Sequence, residues 1–283
     1  MVPFLGPNDP LPPPESARRT PNGLLAAGGG LSVPRLVDAY ARGVFPWFSG
    51  GDPVLWWCPD PRLILPTDGV HVSRSLARRL ARGDYRVTLD TAFGAVMRAC
   101  AEPREDEEGT WISTGMIAAY EALHAAGHAH SLEVWRDETL VGGIYGVAIG
   151  TAFFGESMFS RVSDGSKIAI VWLAAQLARW GVPFIDCQVR SDHLVRMGAV
   201  EVSRREFLRR VRPLVAAPGP PAWRLDDDLR PSGAGGRAAG AGGGGAARER
   251  VAVRDPLRSR YVFVDPRRGV PWRRGAHRVQ ARP

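Results

Sequence analysis

Ser131-Leu132-Glu133-Val134-Trp135-Arg136 and Thr139-Leu140-Val141-Gly142-Gly143-Ile144-Tyr145-Gly146-Val147, separated only by Asp137 and Glu138, decide the fold of this 283-residue chain. Both stretches are apolar and rich in strand-forming side chains. A polar turn this short returns the chain beside itself, so they read as neighbouring antiparallel strands. The second strand is expected to continue to Phe154 and then to enter a loop, Gly155-Glu156-Ser157-Met158-Phe159-Ser160-Arg161. The apolar run from Val141 to Gly155 is too short to span a bilayer and is broken by glycines, which argues against a membrane segment.

Working outward, strands and helices alternate. Upstream come strand Arg62 to Leu65, helix Ser73 to Arg82, strand Tyr85 to Leu89, and helices Thr91 to Ala101 and Thr114 to Ala126. Downstream come helix Ser166 to Trp180, strand Pro183 to Cys187, and a last helix, strand and helix through Val211. Mixed order of this kind predicts an α+β fold with a mixed, largely antiparallel central sheet. Ahead of it, Ser32 reads as an N-cap for a short helix that Gly43 ends, and Val44 to Phe48 and Val54 to Trp57 flank a turn-rich connector as a hairpin. The expected division is therefore an aromatic N-terminal domain over 1–62, a larger domain over 63–224, and a tail over 225–283.

The apolar share of 45% suffices for a real core. The N-terminal stretch Met1 to Pro14 has no basic residue and is proline-rich, so no secretory signal is expected. Three widely spaced cysteines, Cys58, Cys100 and Cys187, suit a reducing compartment and read as small buried hydrophobes. Of the net charge of +8, thirteen Arg against six Asp or Glu after residue 224 supply +7. Ser232 to Ala247 is almost wholly Gly and Ala, which cannot bury enough surface to order itself, so the tail is expected to be a disordered basic arm.

Four clusters carry candidate chemistry. Glu156 stands beside aromatic and apolar side chains and needs a donor, from a salt bridge with Arg161 or from a ligand. In Phe184-Ile185-Asp186-Cys187-Gln188, strand periodicity sends Asp186 and Gln188 to one face, as a satisfied pair or as working groups. Phe45, Trp47, Phe48, Trp56, Trp57 and Trp111 lie near turns, as staples between domains or as stacking platforms for bases. Arg74, Arg78 and Arg82 recur every four residues, with Arg79 beside them, as a solvated face or a grip for phosphates. No nearby Cys or acid completes a convincing ligand set with His124, His128 and His130, so no metal is expected.

Seven ordered motifs go further. They are Asn22-Gly23-Leu24-Leu25-Ala26, Gly43-Val44-Phe45-Pro46-Trp47-Phe48, Trp56-Trp57-Cys58-Pro59-Asp60-Pro61-Arg62, Glu108-Gly109-Thr110-Trp111-Ile112, Gly127-His128-Ala129-His130-Ser131, Gly155-Glu156-Ser157-Met158-Phe159-Ser160 and Asp186-Cys187-Gln188. Together, from about Asn22 to Phe207, they resemble the bacterial leucyl/phenylalanyl-tRNA protein transferase family. The resemblance implies a small N-terminal domain followed by one similar to the acetyltransferases that use coenzyme A (GNAT-like), in a cytoplasmic monomer without metal or organic cofactor. It implies transfer of Leu or Phe, and less readily Met, from charged tRNA to proteins beginning with Arg or Lys, which marks them for degradation. By position it implies that Trp47, with Trp111 nearby, stacks on the terminal adenosine. It also implies an amino-acid pocket of Ile144, Phe153, Leu173, Leu177 and Ile185.

An aminoacyl ester is already activated, so Gln188 is expected to orient the attacking amine, Asp186 to polarise it or relay its proton, and Glu156 to bind a cationic substrate group at the mouth of the pocket. Two rivals remain. An acetyl-coenzyme A transferase needs a Gly-rich turn for pyrophosphate, whereas Arg161-Val162-Ser163-Asp164-Gly165-Ser166 has one glycine and a carboxylate. A non-catalytic tRNA-binding protein could use the arginines, tryptophans and tail without transferring anything.

Overall fold

The computed structural model describes residues 1–49, 51–102, 112–220 and 222–231. A four-stranded sheet comes first, built from β1 (Phe4–Leu5), β2 (Leu24–Gly28), β3 (Phe45–Pro46) and β4 (Leu55–Trp57) in the order β1-β2-β4-β3, with α1 (Val33–Ala41) between β2 and β3. The expected hairpin is β3 paired antiparallel with β4. Trp56 and Trp57 are buried there, their indole N–H groups donating to the carbonyls of Gly28 and Trp47 at 2.8 and 2.6 Å.

The second sheet has seven strands: β5 (Arg62–Pro66), β6 (Arg86–Leu89), β7 (Ala129–Arg136), β8 (Thr139–Ile149), β9 (Ala152–Ser160), β10 (Phe184–Asp186) and β11 (Val200–Val202). Their order is β11-β5-β10-β9-β8-β7-β6, and only β9 and β10 run parallel. The fold is α+β with a mixed, largely antiparallel sheet. Its helices are α2 (Arg74–Arg82), α3 (Phe93–Ala101), α4 (Thr114–Ala125), α5 (Gly165–Arg179), α6 (Asp192–Arg196) and α7 (Arg204–Ala216). Side-chain caps start three of them, from Ser73, Ser113 and Ser203, and each satisfies a backbone N–H that the helix cannot.

Strand periodicity separates two cores. On β8 and β9 the side chains of Tyr145, Val147 and Phe154 join one core with the N-terminal sheet, α1, α3, α4 and α7. Ile144, Ala148 and Phe153 join the other, with α5 and residues of α2 and α6. Gly142 lets the start of α5 lie against the sheet, since a Cβ there would come within 2.6 Å of Gly165.

Three expectations are corrected. Thr139 to Phe154 is not one strand, because Gly150 adopts a left-handed φ of 59° and turns β8 back into β9. Gly155 to Phe159 is consequently part of β9, not a loop. Residues 225–231, expected in the tail, also pack: Leu229 is buried, and the backbone N–H of Asp226 donates to Gln176 Oε1 at 2.8 Å. Residues 232–283 lie outside the described residues. The three cysteines are buried and form no disulfide. Among the described residues no helix is long and apolar enough to cross a membrane.

Candidate active site

β9 and β10 pair only over Phe153–Phe154 and Ile185–Asp186, after which β10 ends while β9 runs on to Ser160. The sheet opens between them. Gln188 has a positive φ of 55° just past the end of β10, and its amide Nε2 donates across the opening to Glu156 Oε1 at 3.2 Å.

On the β8 side, Tyr145 pairs with Ser157 and Gly146 with Gly155, so Glu156 is the extra residue of a β-bulge. Without the bulge, Glu156 and Ser157 would point to opposite faces. With it, both belong to the face of Tyr145 and Phe154, and alternation resumes with Met158 on the other side. Tyr120 donates to Glu156 Oε2 at 3.2 Å, and its hydroxyl is hydrogen-bonded in turn to that of Tyr40. Glu156 is thus enclosed, 4% exposed, rather than standing at an open mouth. Burial pushes its carboxyl up to about 8, with Asp186 adding to the rise, against the hydroxyls of Tyr40 and Tyr120 and the charge of Arg62. The suggested salt bridge to Arg161 does not form, because Arg161 binds Glu102 and the carbonyl of Leu140.

Asp186 has a different environment. Arg62 clamps both its oxygens, Nε to Oδ1 at 2.8 Å and Nη2 to Oδ2 at 2.6 Å, and neither side chain is more than 1% exposed. The guanidinium lies over Phe45 and Phe207, 4.8 and 4.4 Å from the ring centroids. Asp186 Oδ1 also accepts the backbone N–H of Gln188 at 3.1 Å, which fixes the bend that aims Gln188 at Glu156.

The structure brings Ile144, Phe153, Leu173, Leu177 and Ile185 together, all buried in the second core, with Phe153 and Ile185 directly paired. Glu156 meets tyrosines of the first core, so these five apolar side chains and the carboxylate lie on opposite faces of the sheet. Trp47 is half-buried, its ring tilted against Trp57 at 6.1 Å. Trp111 lies outside the described residues. Arg78, Arg79 and Arg82 line a groove of about 370 Å³ with Ser75, Ser163 and Asp164. Arg74 is exposed on the same helix.

Sequence reasoning missed Tyr40, Tyr120, Tyr145 and Arg62. Tyr40 falls unremarked inside the short helix after Ser32, and Arg62 registers only as the start of a strand and the end of a motif. No local pattern announces contacts that span 36 to 124 residues. It also missed the acid beside the histidines. Asp90 Oδ2 meets His130 Nδ1 at 2.6 Å, and Asp90, His124 and His130 each bring a ligand-capable atom within 4.8 Å of the others. His130 is stacked on Trp223 at 3.7 Å and His124 on Phe93 at 4.3 Å.

Comparison with known proteins finds two family models in tandem. Residues 29–60 match the leucyl/phenylalanyl-tRNA protein transferase N-terminal domain, and residues 64–212 match leucyl/phenylalanyl-tRNA protein transferase. A leucyl/phenylalanyl-tRNA–protein transferase of Alkalilimnicola ehrlichii is 58% identical over 229 residues, 80% of this chain and 88% of the relative. Proteins of that name from Nitrosospira multiformis and Nitrosomonas europaea are each 55% identical, over 76% and 77% of this chain and 93% of each relative.

Proposed function

The chain belongs to the leucyl/phenylalanyl-tRNA protein transferase family and is an aminoacyltransferase, and from that premise we propose that it moves Leu or Phe, and less readily Met, from charged tRNA to the α-amino group of proteins beginning with Arg or Lys. The modified protein is thereby marked for degradation, in the cytoplasm, by a monomer using no metal or organic cofactor. The same reading divides the chain at 62/63 and makes the larger domain, which takes in the packed residues 225–231, GNAT-like.

The observation that carries the proposal is the bond from Gln188 to Glu156 across the opening between β9 and β10, with a cluster of buried apolar side chains on the other face of the sheet. The ester supplies the activation. An α-amino group has a reference pKa of about 7.7–8.0, so part of it is nucleophilic near neutrality and positioning supplies much of the acceleration. Gln188 orients that amine. Glu156, its carboxyl raised to about 8, exchanges protons in the same range as an amine and binds the cationic group. Asp186, closed off by Arg62, acts through the backbone of Gln188 as a positioning residue. Ile144, Phe153, Leu173, Leu177 and Ile185 select the side chain by shape and area, which makes discrimination among Leu, Phe and Met modest. Trp47 and Trp111 stack on the terminal adenosine, and Arg74, Arg78, Arg79 and Arg82 grip the tRNA phosphates.

The test uses tRNA charged with labelled Leu or Phe and peptides beginning with Arg or with Asp. Label is expected in the Arg peptide alone. Retention of tRNA with no label in either peptide would leave a non-catalytic tRNA-binding protein and overturn the proposal.

A further inference from the structure

Three buried polar atoms around Glu156 have no hydrogen-bond partner among the described residues: Tyr145 Oη, Ser157 Oγ and Gln188 Oε1. Their residues are 0%, 3% and 3% exposed. Tyr145 and Ser157 are direct cross-strand partners, and the bulge at Glu156 turns Ser157 to the face that Tyr145 occupies. The ring of Tyr145 meets that of Tyr120 edge-on at 5.9 Å, and Tyr120 in turn binds Glu156. A buried hydroxyl without a partner is less favourable than the apolar side chain of the same shape. Packing alone would be better served by Phe at 145 and Ala at 157.

The three atoms sort by chemistry. An amide oxygen only accepts, so Gln188 Oε1 suits an N–H donor. A hydroxyl can donate, and burial together with the nearby Glu156 raises the pKa of Tyr145, which keeps its proton in place. On the reading of the site given above, we propose that Tyr145 Oη and Ser157 Oγ form an oxyanion-binding pair, donating to the ester carbonyl oxygen of charged tRNA while Gln188 Oε1 accepts from the attacking amine.

In the step this pair assists, the nitrogen lone pair forms a bond to the ester carbon and the C=O π pair moves onto oxygen, where the two hydroxyls hold it. Collapse re-forms C=O and breaks the bond to the ribose oxygen. The proton lost by nitrogen ends on that oxygen, so the sum is amide plus uncharged tRNA. Donors aimed at developing charge in a site without water act chiefly on the transition state.

Tyr145→Phe and Ser157→Ala each remove one hydroxyl and little else. Each is expected to lower kcat for transfer about 100-fold, the usual effect of losing one such donor. KM for charged tRNA is expected to stay within about twofold, and Tm to hold or rise because an unpaired polar group has gone. Wild-type kcat in both variants would overturn the pair. So would a fall in Tm that accompanies the loss of transfer, since that would make the hydroxyls structural. Wild-type protein in the same assay separates the two ideas: if it transfers nothing, the proposed function fails, whereas active wild type with fully active variants sinks only the oxyanion pair.

Discussion

Glu156 is a carboxyl group that folding pushes towards its neutral form, and its ionisation therefore couples to stability. Below about pH 4.5 it is protonated in folded and unfolded chains alike, so burying it then involves no charge. Between about 4.5 and about 8 the unfolded chain has released the proton and the folded chain retains it. Folding takes up a proton in that window, so stability falls as pH rises through it. Glu156→Gln removes the group that titrates, and its Tm relative to wild type should climb steadily from pH 5 to pH 8.5. A difference that stays flat across this range would show that the carboxyl is not raised. Asp186 makes the opposite kind of case, since removing it strands the Arg62 guanidinium in the core. Asp186→Ala should lower stability by about 3–5 kcal/mol in denaturant titration, and Gln188→Ala by much less. Loss of transfer in Gln188→Ala at near-normal stability would then mark a chemical role, whereas loss in Asp186→Ala would not separate chemistry from folding. At this scale much was legible. The identities of Glu156, Asp186 and Gln188 came from the sequence, but their partners did not, because Tyr120 and Arg62 lie 36 and 124 residues away.

Elements were read more fully than their junctions. Each described helix of the larger domain was expected, α6 and α7 only by their order, because apolar spacing is a local property. The β8–β9 turn escaped because Gly150 sits inside an apolar run, where a glycine says nothing of the sign of its φ. The bulge at Glu156 escaped for a related reason: one extra residue does not disturb composition, and only pairing with β8 reveals it. Helix α2 is the element with the plainest prediction. Its Ser73 cap and left-handed Gly83 fix both ends, so Arg78 and Arg82 can be changed without moving the backbone. Arg78→Glu with Arg82→Glu should raise KM for charged tRNA about tenfold or more and flatten the dependence of binding on salt, while kcat at saturating tRNA changes little. Unchanged KM and an unchanged salt slope would return the stripe to an ordinary solvated helix face.

The whole molecule is organised by one sheet that separates two cores, and the segment 222–231 closes the second. Trp223 stacks on His130 and lies 5.8 Å from Phe153, and Trp180 meets it edge-on at 4.9 Å. Leu229 is 2% exposed, and Arg179 pairs with Asp226 and Asp228. Composition assigned residues 225–231, with the aspartates Asp226, Asp227 and Asp228, to the tail because the run of Gly and Ala from Ser232 follows at once. Their neighbour across the fold, Arg179, is what holds two of them, and sequence distance hides it. Two truncations isolate this segment. Ending the chain at Pro231 removes twelve Arg and three acids, a charge of +9, and should reduce the salt dependence of tRNA binding. Ending it at Pro220 additionally removes Leu229 and Trp223, the latter from beside Phe153. Loss of half-buried Trp223 together with buried Leu229 costs about 3–5 kcal/mol, so Tm should fall by about 6–20 °C relative to the Pro231 truncation. Phe153 belongs to the proposed amino-acid pocket, so the shorter chain should also discriminate less between Leu-charged and Phe-charged tRNA. Equal Tm and equal discrimination in the two truncations would mean that the segment merely rests on the core. A lower Tm with unchanged discrimination would make Trp223 a staple and leave the pocket to the five side chains alone.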